Sequence, residues 1–167
     1  VALVGTLASL SVGSGHLPYQ MRIKAKQLAL TAELALEEAE LSGYSAGLVF
    51  SQQVNDRGES YFQYDWMTST DRGWEKLEGD VFKSGQFPPA FELLVELEEL
   101  PLQLSAKKPE QSETEEEKRS PDVQFFSSGE VTPARVTLQD VSNGEELWTI
   151  QWNMLGDWEL HSGEDAP

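Results

Sequence analysis

The longest regular pattern in the chain runs from Tyr19 to Ser42. At about 100° per residue, Met21, Ala25, Leu28, Ala32, Ala35, Leu36 and Ala39 share one face, while Ile23, Leu30, Leu34 and Leu41 gather on nearly the opposite one. The spacing predicts a helix over 19–42 with Gly43 as its stop. A helix on the surface of a monomer needs one apolar stripe, so two stripes imply cover on both sides. Either the domain sandwiches the helix, or one stripe packs on the domain's own sheet and the other on a neighbouring subunit. Periodicity does not assign the stripes to these roles, so Ile23, Ala25, Leu28, Leu30, Ala32, Leu34, Ala35 and Ala39 are all interface candidates. The charges run against the helix dipole, with Arg22, Lys24 and Lys26 near the start and Glu37, Glu38 and Glu40 near the end. That arrangement points to compensation by a neighbour or by a continuation of the helix upstream.

Beyond Gly43 the period shortens. Ala46–Phe50 and Ser60–Trp66 read as strands joined by a turn over Asn55–Gly58. Asp71–Leu77 adds a turn and a short strand, and Phe87–Pro89 reads as punctuation. Phe91–Glu96 alternates as a strand with a partner expected at Leu102–Leu104, although its glutamates also suit a helix. Further strands are expected at Val123–Phe126, Ala134–Asp140, Glu146–Trp152 and Trp158–Leu160. The segment 107–121 has no large apolar residue, which predicts a mobile acidic loop outside any core. The class is therefore α+β: a long N-terminal helix packed on an antiparallel β-sheet or β-sandwich head. Three stretches frame it: an apolar leader at 1–18, a globular domain at 19–160 and a tail at 161–167. Val1–Val12 is too short to cross a bilayer, which takes about 20 residues. It reads either as a buried or disordered leader or as the far end of a membrane helix, with Gly13–Pro18 as a break in any continuous helix.

Charge narrows the partners. With 29 acidic against 12 basic side chains the formal net charge is −17, a surface that repels phosphate backbones and anionic lipid. Nucleic acid is not expected as a partner. The absence of cysteine removes disulfides and thiol chemistry from the sequence. His16 and His161 lie near opposite ends, and no nucleophile elbow, H-E-x-x-H or glycine-rich phosphate loop is present. Asp140, Asn143 and Glu145 offer oxygen ligands in one turn but miss EF-hand spacing. No catalytic residue, cofactor or metal is expected. Five tryptophans, all in or beside strands, suit the packing of a sheet face better than a sugar platform.

Two stretches carry a resemblance. "LALEEAELSGYSAGLVF", Leu34–Phe50, and "FFSSGEVTP", Phe125–Pro133, stand in order with a charged insertion before the second. Together they resemble the H-type minor pseudopilins of the bacterial type II secretion system, a group related to FimT-like minor pilins. On that resemblance Glu37, Glu38, Leu41, Ser42 and Gly43 match the helix-end signature. Phe126, Ser128, Gly129, Glu130, Thr132 and Pro133 match the later one. Phe126 is expected to anchor its strand in the core, Gly129 to allow the turn, and Glu130 to cap backbone amides or meet a neighbour's cation. The resemblance implies a non-enzymatic assembly subunit near the tip of a pilus-like fibre. Its implied partners are other minor pseudopilins and the major pseudopilin, with the secretin or secreted cargo beyond them. It implies an inner-membrane protein, single-pass through an N-terminal helix, with its head in the periplasm. A secreted β-sandwich binding module for carbohydrate or protein, and a DNA-binding minor pilin, are the alternative readings.

Overall fold

The computed structural model describes residues 16–104, 106–107 and 120–163. The apolar leader through residue 15, the acidic segment 108–119 and the chain end at 164–167 lie outside the described residues.

The helix, α1, runs His16–Ser42, three residues longer at its start than the pattern predicts. Pro18 does not break it, because the first-turn N–H groups have no intrahelical acceptor and a missing one costs nothing there. It ends where expected: Gly43, at φ 78°, donates its N–H to the Ala39 carbonyl at 3.0 Å.

Two sheets follow. The first is built on the hairpin of β1 (Ala46–Val54) and β2 (Ser60–Thr70). Its turn is held by the Asn55 carboxamide oxygen, which accepts the Arg57 and Glu59 amides at 2.9 and 3.0 Å. β3 (Gly73–Lys76) and β4 (Gly85–Phe87) both pair with β2, while β7 (Ala106–Lys107) and β8 (Val123–Phe125) pair with β1. The second sheet has the order β11-β10-β9-β5-β6, all antiparallel. It comprises β5 (Phe91–Leu97), β6 (Leu100–Pro101), β9 (Ala134–Asp140), β10 (Glu146–Trp152) and β11 (Trp158–Ser162).

Several boundaries differ from expectation. The partner of β5 is Leu100–Pro101, not Leu102–Leu104, and only the Leu102 amide continues the ladder, to Val95 at 2.7 Å. The reversal uses Glu98 and Glu99, both at positive φ (50° and 68°), a type of turn that normally selects Asn-Gly. β4 ends inside the stretch Phe87–Pro89 that reads as punctuation, and its one inward residue, Phe87, makes too little pattern to predict a strand. The ends of the expected acidic loop are structured: Lys107 lies in β7, and Pro121 is buried against Gly47, where a Cβ would meet its ring at 2.2 Å. Beside it the Asp122 carboxylate accepts the Phe50 amide at 2.7 Å. The expected tail starts later than 161, because His161 and Ser162 pair with Thr149 and Trp148 inside β11.

The core lies between the sheets and under α1. Alternation turns Leu48 and Phe50 of β1, Leu93 and Val95 of β5, Val136 and Leu138 of β9 and Trp148, Ile150 and Trp152 of β10 inward. Trp148 and Trp152 share a side, as their spacing of four requires in a strand. An aromatic contact ties the layers, with Phe87 of the first sheet 6.0 Å between centroids from Trp148 of the second, and within the first sheet Trp66 meets Phe125 at 6.1 Å. The indole N–H groups of Trp66, Trp148 and Trp152 are buried without a hydrogen-bond partner. Each such loss costs about 1–3 kcal/mol, less than the roughly 4–6 kcal/mol from burying about 150–250 Å² of ring, so apolar burial decides their placement.

Candidate functional site

The two faces of α1 have different fates. Met21, Ala25, Leu28, Ala32, Ala35 and Ala39 are buried by the protein's own strands, chiefly β1, β8, β10 and β11. Alanine leaves no side chain beyond Cβ, so the helix can lie close against the sheets along this row. Ala25, Leu28, Ala32, Ala35 and Ala39 are thereby corrected as interface candidates: they have no more than 1% of their surface left to offer another chain. Ile23, Leu30 and Leu34 remain 42–43% exposed, and Leu41 85%. The helix is not sandwiched within its own domain.

The flanks of the helix are latched to the head. Lys24 Nζ donates to the Gln86 carbonyl at 2.6 Å and lies 5.9 Å from the centre of the Phe87 ring. On the opposite flank Trp158 Nε1 donates to the Glu33 carboxylate at 3.4 Å. Part of the reversed charge is therefore compensated inside the protein. The first turn has no acidic residue and the last no basic one.

The two motif stretches meet at the helix end. The Phe126 amide donates to the Glu130 carbonyl at 2.8 Å and the Gly129 amide to the Phe126 carbonyl at 2.9 Å, closing a tight turn with Gly129 at φ 91°. Glu40 lies over this turn: a Cβ on Gly129 would stand 2.7 Å from its Oε1. Gly129 thus serves both the turn and the approach of α1. Thr132 Oγ1 accepts the Gln124 amide at 3.2 Å, and Pro133 precedes β9 while its carbonyl accepts the Glu98 amide at 3.0 Å. Two roles expected here are corrected. Phe126 is 36% exposed, and the strand's anchor is its neighbour Phe125, because the inward positions of β8 are Val123 and Phe125. Glu130 does not cap the turn, whose amides go to backbone carbonyls. Glu37, Glu38, Leu41, Ser42, Ser128 and Glu130 all present exposed side chains, so the motifs build an outer corner of the molecule.

Elsewhere the polar groups are absorbed locally. A groove of about 820 Å³ along the second sheet includes Arg135, but that guanidinium already stands 3.7 Å from Glu96 and 3.2 Å from Gln151. His161 meets Glu159 at 3.2 Å on β11. In the turn after β9, Ser142 donates both its hydroxyl and its amide to Asp140, which holds that carboxyl below the ordinary aspartate range. Asn143 spends its oxygen on the Glu145 amide, so the oxygens that suggested a cation are used by the turn itself. Burial pushes the Tyr64 hydroxyl above the ordinary tyrosine range. Among the described residues no three His, Cys, Asp or Glu side chains are grouped to hold a metal ion.

Comparison with known proteins agrees with this architecture. The type II secretion system protein H of Aeromonas hydrophila is 26% identical over 167 residues, covering 99% of this chain and 87% of that protein. The crystal structure of the minor pseudopilin EpsH from the type II secretion system of Vibrio cholerae superposes with a TM-score of 0.60 at 22% identity, over 87% of this chain and 95% of that one. The solution structure of GspH from E. coli gives 0.59 at 20% identity, over 93% and 97%. At such identities the two structures show a common fold. The family described as type II transport protein GspH matches residues 24–156, from the buried face of the stem to the hairpin turn before β11. The chain belongs to the GspH family, the H-type minor pseudopilins that its two motifs resemble.

Proposed function

We infer that this chain is a minor pseudopilin, a structural and assembly subunit of the type II secretion pseudopilus that supports export of folded proteins across the outer membrane. Its contacts are with other pseudopilus components, and its work is done by surfaces rather than by catalysis. The observation that carries this reading is a stem with one face sealed on its own head and the other face, Ile23, Leu30, Leu34 and Leu41, left open. In this reading Ile23, Leu30 and Leu34 face neighbouring pseudopilins, minor and major, at a place near the fibre tip. The corner formed by Glu37, Leu41, Phe126 and Glu130 turns toward the same assembly. The head faces the periplasm. No helix among the described residues is long and apolar enough to cross a membrane, and a single-pass inner-membrane anchor would precede the described stem.

The alternatives find less support. A sugar platform needs an exposed tryptophan, whereas Trp66, Trp148 and Trp152 are buried and Trp74 and Trp158 half-buried. A DNA-binding pilin needs a basic stripe, against a net charge of −17. The test is made in the host's envelope: the tagged full chain should recover other pseudopilins after crosslinking, and its deletion should halt secretion. Normal secretion in the deletion strain, with no pseudopilin recovered, would overturn the reading.

A further inference from the structure

Two turns of the head meet beside the end of α1 and carry exposed apolar side chains. One is the turn after β8, at 126–130, and the other is the hairpin turn between β10 and β11, at 153–157. The Val131 amide joins them by donating to the Met154 carbonyl at 2.9 Å. Phe126, Met154 and Leu155 stand at this junction 36%, 57% and 73% exposed. Side chains left that open add little to the fold of the isolated chain, and grouped together they mark a contact surface.

The turns that present them are firmly built. The Asn153 carboxamide oxygen accepts the Leu155 and Asp157 amides at 2.9 and 3.1 Å, and its nitrogen donates to the Asp157 carboxylate at 3.1 Å. Gly156, at φ 83°, seats the hairpin turn on the stem: a Cβ there would stand 2.6 Å from Leu36 Cδ2 and 3.3 Å from Val131 Cγ2. The patch is therefore pre-shaped, and a partner pays little to order it. Its rim is acidic. Glu40, Glu130 and Asp157 flank it, all exposed, and none has a basic partner among the described residues. The stem has no Lys or Arg beyond Lys26, and the negative end of its dipole points the same way.

We propose that this junction docks a segment of a different pseudopilus subunit in which an apolar side chain is flanked by Lys or Arg. Charge selects that occupant. A second copy of this chain would bring a formal charge of −17 against the same acids, and like charges facing one another reject a partner. Anionic lipid is refused for the same reason. A basic segment instead pairs with the rim while its apolar side chain covers Phe126, Met154 and Leu155, an apolar centre within a polar border. That the occupant is a fibre subunit rests on the pseudopilin reading, whereas its chemistry rests on the patch. The patch belongs to the head, so the ridge of Ile23, Leu30 and Leu34 stays free for another neighbour.

The test places a photoreactive residue at Leu155 of the full chain in secreting cells and maps the captured residue by mass spectrometry, with Leu34 labelled in parallel. Leu155 should capture another pseudopilin at an apolar position beside Lys or Arg. Glu40→Lys with Glu130→Lys should lower that capture about three- to tenfold. Changing the mapped Lys or Arg of the partner to Glu should restore it, and a misfolded head could not be rescued in this way. Met154→Ser should also lower capture while leaving the yield at Leu34 unchanged. Capture that ignores the charge reversal, a reversal that the partner's Glu does not rescue, or no capture at Leu155 while Leu34 captures pseudopilins would each overturn the docking site. Those outcomes leave the pseudopilin reading standing, since it fails only if neither position captures a pseudopilin and secretion survives deletion.

Discussion

The buried and open faces of α1 differ in side-chain size in a direction opposite to simple burial. The sealed face is mostly alanine, with Met21 and Leu28 as its large members, while the open face carries Ile23, Leu30, Leu34 and Leu41. Small residues are inside because close approach of the helix to the sheets is what buries them. Large aliphatics are outside although burying one is worth about 1.5–3 kcal/mol. The head does not collect that energy, which leaves it for a neighbour. The lesson is that stripe hydrophobicity alone does not say which face a protein keeps for itself.

Four measurements break or sharpen this contrast, the largest first. Leu28→Ala on the sealed face should cost about 2–5 kcal/mol in thermal or denaturant unfolding, since it opens a cavity against the strands. Ala32→Leu should cost about 1–3 kcal/mol by forcing the helix off the sheets. If either were neutral, the sealed face would not be close-packed. Alkaline pH should loosen the aromatic layer beneath this face. Burial raises the Tyr64 pKa, so the unfolded state loses its proton first, and the stability from the neutral phenol is present below pH 10 and lost as pH rises past it. Tyr64→Phe should flatten that alkaline loss, read as unfolding midpoints across pH 9–11. Smallest of all, Leu34→Ala should change the stability of the isolated chain by no more than about 0.5 kcal/mol. A cost near that of Leu28→Ala would show that the head covers the ridge after all.

The fold was legible where local chemistry and packing agree. The hairpin around Asn55–Gly58, the alternation of β9 and β10 and the Gly43 stop all carry their own turn or period, and each stands where its residues indicate. The failures share a cause. Glu98–Glu99 turns the chain without turn residues, β4 offers one inward side chain, and Pro18 sits where the helix tolerates proline; each is settled by tertiary context. The open ridge was legible as a stripe but not as open, because exposure depends on where Trp148, Phe125 and the β11 hairpin come to rest. At the corner the motif's glycine could be understood from its residue type, whereas the choice between Phe125 and Phe126 as anchor depended on strand phase, shifted by the early end of β8.

The central claim is that the ridge belongs to a neighbouring chain. It is tested most directly by placing a photoreactive residue at Leu34 of the full protein in secreting cells and identifying what it captures. The account predicts another pseudopilin, with capture lost when assembly is blocked. Capture confined to the head of the same molecule, or none at all while secretion proceeds, would contradict it.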